Sequence, residues 1–152
     1  MIMIEKIWAD FILLFKNPIF LGTFSSWLVS QIIKIIVESY RKKRIYLRSF
    51  FQSGGMPSVH SASVCALAAG TYLLEGIGTF FVITLSFAFL VMYDARGVRY
   101  EASKHAKLLN YIVKDKSIDH PILKELIGHN ILEIFAGAVV GVITTFGVFL
   151  LL

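Results

Sequence analysis

Two histidines, His60 and His129, each stand at the mouth of an apolar run, and the residues that a membrane excludes collect around them. His60 follows Pro57-Ser58 and opens an Ala- and Leu-rich stretch; His129 precedes Asn130 and, four residues on, Glu133. Lys34 and Arg41 close one apolar run, and Asp94, Arg96 and Arg99 close another. Ionisable groups near membrane depth are costly and are usually paired or functional. These types suit phosphate chemistry. Free N–H groups at helix N-termini attract anions. Lysine and arginine neutralise a phosphate and stabilise charge that develops on it. Two histidines can divide the work, one as nucleophile and one as general acid. Glu133, one helical turn after His129, can orient that imidazole.

The elements that position these residues are membrane helices. The chain has 152 residues, of which 57% are hydrophobic, and a mean hydropathy of +0.73; soluble domains sit nearer 45–50% apolar. Its single cysteine, Cys65, excludes an intramolecular disulfide. A pI near 9.4 raises the question of nucleic acid. The placement of charge answers it: 12 of the 15 lysines and arginines lie in two stretches, 38–59 and 94–128, beside apolar spans. That is the positive-inside pattern, so the expected partners are membrane lipids and not nucleic acid.

The expected fold is an all-α integral membrane helical bundle, a single domain over 1–152, with about four transmembrane spans at 18–37, 60–75, 77–93 and 131–152. Residues 1–17 read as an N-terminal amphipathic helix lying at the interface. A tight turn at 75–78 separates the second and third spans. The segment 110–119 reads as a surface turn, and Pro121 as the first turn of a further short helix. Four spans put both basic loops on one face, the cytoplasmic one, and both termini outside. The site would therefore face the cytoplasm, in a bacterial inner (plasma) membrane. Asn130-x-x-Glu133 is also a capping-box pattern, and Pro57-Ser58 also reads as a plain helix start. Arg96 and Arg99, three apart on a continuing helix, would share a face.

Three motifs carry a resemblance to a known family. Lys34 is followed after six residues by Arg41; Pro57-Ser58-Val59-His60 comes next; His129 is followed after three residues by Glu133. This order resembles the type 2 phosphatidic acid phosphatases and vanadium haloperoxidases. The stretches "SGGMPSVHSA" (53–62), "YDARGVR" (93–99) and "GHNILEIFAGA" (128–138) are more closely similar to the divergent acid phosphatase/vanadium-dependent haloperoxidase-related membrane proteins. The resemblance covers nearly all of the chain after residue 17. It implies a metal- and cofactor-independent lipid-phosphate phosphomonoesterase. In that reading His129 forms a phosphohistidine, Glu133 orients it, and His60 protonates the leaving alcohol. Lys34, Arg41 and Ser58 hold the phosphate, with Arg96 and Arg99 in place of the third motif's arginine and Asp94 and Asn130 in support. The chain departs from the older pattern at Val59 (glycine there), Lys42 (proline) and Leu123 (arginine).

Substrates that fit are phosphatidylglycerophosphate, phosphatidic acid and a polyprenyl diphosphate. The alternative is a non-catalytic lipid-phosphate-binding membrane protein that retains the fold. A third reading, a metal site of His60, His129, Glu133 and Asp94, rests on residue types alone; haloperoxidase activity ranks last.

Overall fold

The computed structural model describes residues 2–52, 54–125 and 128–152; Met1 and Ser53, the first residue of the "SGGMPSVHSA" stretch, lie outside the described residues. The architecture is all-helical: α1 (Ile2–Leu14), α2 (Pro18–Lys42), a 3-10 turn (Leu47–Phe51), α3 (Val59–Glu75), α4 (Thr79–Arg96), α5 (Val98–Asp115) and α6 (Ile131–Leu151). Among the described residues three helical stretches are long and apolar enough to cross a membrane: Pro18–Lys42, Thr79–Asp115 and Ile131–Leu151. The fourth expected span, α3, has 17 residues. It lies at the centre of the bundle, packed by α2, α4 and α6, so its neighbours and not lipid cover much of it.

Local chemistry sets the ends of the helices. Asn17 caps α2, its Oδ1 accepting from Ile19 and Phe20 N–H at 2.9 and 3.1 Å, and Pro18 follows at the first helical position. The helix runs five residues past the expected end at 37, because charge ends an apolar run without breaking a helix. It stops where Lys43 turns left-handed (φ 51) and the Lys43 and Arg44 N–H groups donate back to Tyr40 and Ser39. Gly76, at φ +73, makes the expected turn between α3 and α4.

The core is built of small residues. Thr145 is the largest fully buried side chain among the described residues, and Ser26, Ser30 and Ser61 are fully buried too, while Phe80, Phe89, Leu90, Phe135 and Ile143 face outward. A lipid-facing bundle associates by close packing of small residues rather than by hiding large ones. Gly137, Gly141 and Thr145 of α6 run against Ser58, Ala62 and Ala66 of α3. A Cβ at Gly141 would stand 2.2 Å from the Ala62 carbonyl oxygen. The pairing ascends both helices together, so α3 and α6 are parallel and their N-termini share one end of the bundle. Helix α2 runs antiparallel to α3. Near its start Ile19 meets Gly70, and further along Ser26 Oγ donates to the Ala62 carbonyl at 3.2 Å. Helix α4 also runs against α3, with Tyr72 on Phe81 and Cys65 beside Met92. The C-terminal ends of α2 and α4 therefore meet the N-termini of α3 and α6.

Two loop expectations are corrected. Residues 110–115 are not a surface turn but the last part of α5. Pro121 starts no helix, and residues 118–125 are non-helical. Asn110 explains the second point. Its side chain donates to the Leu123 carbonyl at 2.9 Å and accepts from the Leu123 N–H at 2.8 Å, and it also donates to Glu125 Oε1 at 2.9 Å. Both backbone groups of Leu123 are thereby taken, as in a strand ladder, and are withheld from a helix.

The N-terminal helix α1 is exposed along its described length and carries Trp8 and Phe11 in edge contact. Phe15, just beyond it, continues the row to Phe20 of α2.

Candidate active site

His129 sits in the short approach to α6. Its backbone N–H donates to the Ala95 carbonyl of α4 at 3.1 Å, and the side chain is buried at 2% exposure. Gly128 before it lies where a Cβ would meet the Tyr100 backbone nitrogen at 2.3 Å, so only glycine lets the chain pass α5 this closely. The capping box forms as the spacing predicts: Asn130 Oδ1 accepts from Glu133 N–H at 2.9 Å, and Glu133 Oε2 accepts from Asn130 N–H at 3.2 Å. The same Oε2 lies 3.0 Å from His129 Nδ1. Glu133 thus caps the helix and orients the histidine at once. A carboxylate has no proton to give, so Nδ1 carries the hydrogen, and in the neutral ring this tautomer leaves the lone pair on Nε2. That Nε2 is buried and has no hydrogen-bond partner among the described residues. An orphaned buried acceptor costs on the order of 1–3 kcal/mol, and such groups concentrate where chemistry uses them.

His60 stands in the first turn of α3, exposed at the rim, its ring centre 6.2 Å from that of His129 at 62°. The rings meet edge to face without a hydrogen bond between them. Arg99, Lys34 and Asp94 lie near enough for their charges to act on the His60 ring. Arg99 donates through Nε to Asp94 Oδ2 at 2.7 Å, which leaves the two terminal amino groups of its guanidinium for another acceptor.

Lys34 is buried at 2% exposure, and its ammonium donates to the Gln52 carbonyl. Gly55, at φ +108, brings the glycine turn against it; a Cβ there would stand 3.2 Å from Lys34 Cε. Glu38 and Glu133 are the acids whose charge Lys34 feels. Arg41 is exposed and pairs with Glu38 at 3.3 Å, within electrostatic reach of Glu133.

Two of the expected phosphate ligands are otherwise occupied. Ser58 is fully buried as the N-cap of α3. Its Oγ accepts from Ser61 N–H at 3.3 Å and from Ser61 Oγ at 3.0 Å, and its N–H donates to the Glu133 carbonyl at 2.9 Å. It ties α3 to α6 and so fixes His60 relative to His129. Arg96 does not share a face with Arg99, because the helix breaks at Gly97. Its guanidinium lies 4.7 Å from the centre of the Tyr100 ring, and it lines a cavity between α4 and α6.

A cavity of about 350 Å³ opens beside His60 among α2, α3 and α4. Lys34, Gln52 and His60 line it toward the site, and Trp27, Val64 and Phe87 line it deeper in the bundle. Gln52 was not among the residues expected from sequence; only the folded loop brings its carbonyl to Lys34. Among the described residues no group of three or more His, Cys, Asp or Glu could hold a metal ion, so the metal reading lacks the cluster it needs there.

Residues 15–144 match the model of the family described as the Divergent PAP2 family. The chain is 32% identical over 148 residues to the uncharacterized membrane protein YuiD of Bacillus subtilis (strain 168), covering 87% of this chain and 94% of that protein. No solved structure matches.

Proposed function

The chain belongs to the Divergent PAP2 family and is a membrane protein, and from its site geometry we propose that it is a lipid-phosphate phosphomonoesterase working through a phosphohistidine. The observation that carries the reading is the His129 ring: Nδ1 is held by Glu133, and Nε2 is buried, without a hydrogen-bond partner among the described residues, and close to a second imidazole. Nε2 attacks phosphorus as the bond from phosphorus to the lipid oxygen breaks, and protonated His60 gives its proton to the departing alkoxide. A water then attacks the phosphohistidine, His60 takes the water's proton, and inorganic phosphate leaves with His129 restored. Lys34 and Arg99 supply the positive charge that the phosphoryl oxygens need, with Arg41 at the rim.

The cavity among α2, α3 and α4 is polar toward His60 and apolar deeper in. It suits a phosphate carried on an acyl or prenyl tail that lies in the leaflet. The two basic stretches gather at this end of the bundle, which supports a cytoplasmic-facing site by the positive-inside rule. Phosphatidylglycerophosphate, phosphatidic acid and a polyprenyl diphosphate all meet these requirements.

The second reading, a lipid-phosphate binder without turnover, draws on one observation: Ser58 has its N–H and hydroxyl engaged within the fold. Phosphate release by detergent-purified protein, with chelator present and beside His129→Ala, tests the proposal. Release that survives chelator and is lost in the variant is the expected result. Binding of lipid phosphate with no release from any lipid would establish the binder instead.

A further inference from the structure

The loop between α2 and α3 builds a second basic cleft outside the histidine site. Its 3-10 turn folds back on α2: Gln31 Nε2 donates to the Phe50 carbonyl at 3.3 Å, and the Phe50 ring meets Trp27 edge-on at 5.7 Å. Inside the turn Ser49 is fully buried and donates to the Tyr46 carbonyl at 2.9 Å. Against this braced turn stands the non-helical segment that Asn110 holds, and it carries Lys124. A cavity of about 490 Å³ lies between them, lined by Tyr46, Arg48, Phe51, Gln52 and Lys124.

The cations here are of two kinds. Lys42 is engaged over the Tyr46 ring, 3.2 Å from its centre. Arg48 and Lys124 have no ion-pair or hydrogen-bond partner among the described residues, and both are exposed. Gln52 spans the gap to the histidine site: its side chain donates to Tyr46 Oη at 3.0 Å, while its carbonyl holds Lys34. Beside the cations the surface turns apolar. Ile45, Leu47 and Phe51 are 84%, 64% and 83% exposed. The loop packs along the membrane helix α2, so these side chains belong at the depth of the acyl boundary and the cations at the depth of the headgroups.

We propose that this cleft is a second lipid site, separate from the histidine pair, which seats the phosphodiester headgroup of an anionic phospholipid between Arg48 and Lys124. Two cations match one phosphodiester charge and its oxygens. The apolar rim gives the chains of that lipid a surface that a free phosphate would not use. The site stands whether or not the histidines turn over substrate.

Native mass spectrometry tests it, using full-length protein relipidated with phosphatidylglycerol or with phosphatidylcholine of the same chains. Wild-type protein retains phosphatidylglycerol, and Arg48→Ala/Lys124→Ala weakens that retention by about tenfold or more. Arg48→Gln and Lys124→Gln each weaken it singly, Arg48→Lys keeps it, and His60→Ala/His129→Ala leaves it unchanged. Equal retention of the two lipids, or of phosphatidylglycerol by wild type and the double variant, overturns the proposal. So does loss of the lipid in the histidine variant, which would place it at the other site. Displacement by inorganic phosphate as readily as by short-chain phosphatidylglycerol would make the cleft a free-anion site and also overturn it.

Discussion

Gly137 of α6 lies so close to Ser58 of α3 that a Cβ at 137 would stand 2.3 Å from the Ser58 carbonyl oxygen. Ser58 is the cap from which His60 is projected, and Gly137 lies one helical turn beyond Glu133, which holds His129. The helix contact and the spacing of the two histidines are therefore one structural fact.

Gly137→Ala is expected to push α3 from α6, since the clash is with backbone and no rotamer relieves it. Overpacking of this kind costs about 1–3 kcal/mol. Thermal denaturation in detergent should show a lowered midpoint. Gly147→Ala is the control: its Cβ meets nothing within 4 Å, and its midpoint should stay put or rise slightly because alanine favours helix. Equal effects at both positions would mean that the small-residue stripe does not set the packing.

Glu133→Gln separates the two roles of that carboxylate. The amide oxygen can still accept from the Asn130 N–H, so the cap persists and the thermal midpoint should barely move. The same amide oxygen still faces Nδ1–H, but it is neutral, so it is a poorer acceptor and leaves positive charge on the ring uncompensated. Phosphate release is expected to fall roughly 10²-fold or more. Glu133→Ala also loses the side-chain half of the capping box, while Asn130 still accepts from the backbone N–H of residue 133, and should cost about 1 kcal/mol of stability besides. Full activity in Glu133→Gln would reduce Glu133 to a capping residue.

Much of this architecture is legible in sequence because it rests on local chemistry. Asn17-Pro18 starts α2, Asn130 and Glu133 form the box at α6, and Gly76 turns between α3 and α4, each through partners within a few residues. Clustering of charge brings the site residues to one end for the same reason: membrane depth sorts them. What escapes the sequence depends on partners far along the chain. Gln52 acts through a carbonyl that any residue could offer, and nothing in its type marks it as the holder of Lys34. Asn110 looks like a turn former, yet it sits in α5 and spends its amide on Leu123. Gly97 in "YDARGVR" reads as compatible with a continuing helix, but its break sends Arg96 to Tyr100 and leaves Arg99 with Asp94.

Asn110→Ala should therefore release the segment that carries Lys124 and leave the membrane bundle intact. Three hydrogen bonds are lost, at about 1 kcal/mol each. Limited trypsin digestion is the measurement, with faster cleavage after Lys116 and Lys124 as the expected result. Unchanged cleavage would mean that the segment is fixed by other contacts.

Lys34→Met tests whether the buried ammonium serves the ligand or the fold. A methionine keeps most of the volume and carries no charge to desolvate. Removing one partner of a buried ion pair is costly because it strands the other charge, but Lys34 forms no ion pair among the described residues. The exposed Arg41 still pairs with Glu38, so that acid keeps a cation. The thermal midpoint should then hold within a few degrees. Binding of a lipid phosphate should weaken by about tenfold or more, because a charge-assisted contact to phosphate is gone. The discriminating pair is the midpoint and the lipid-phosphate affinity of the same preparation. A collapsed midpoint would instead make Lys34 a structural brace for the 52–55 turn through the Gln52 carbonyl. An unchanged affinity with an unchanged midpoint would move the phosphate cradle to Arg99 and Arg41.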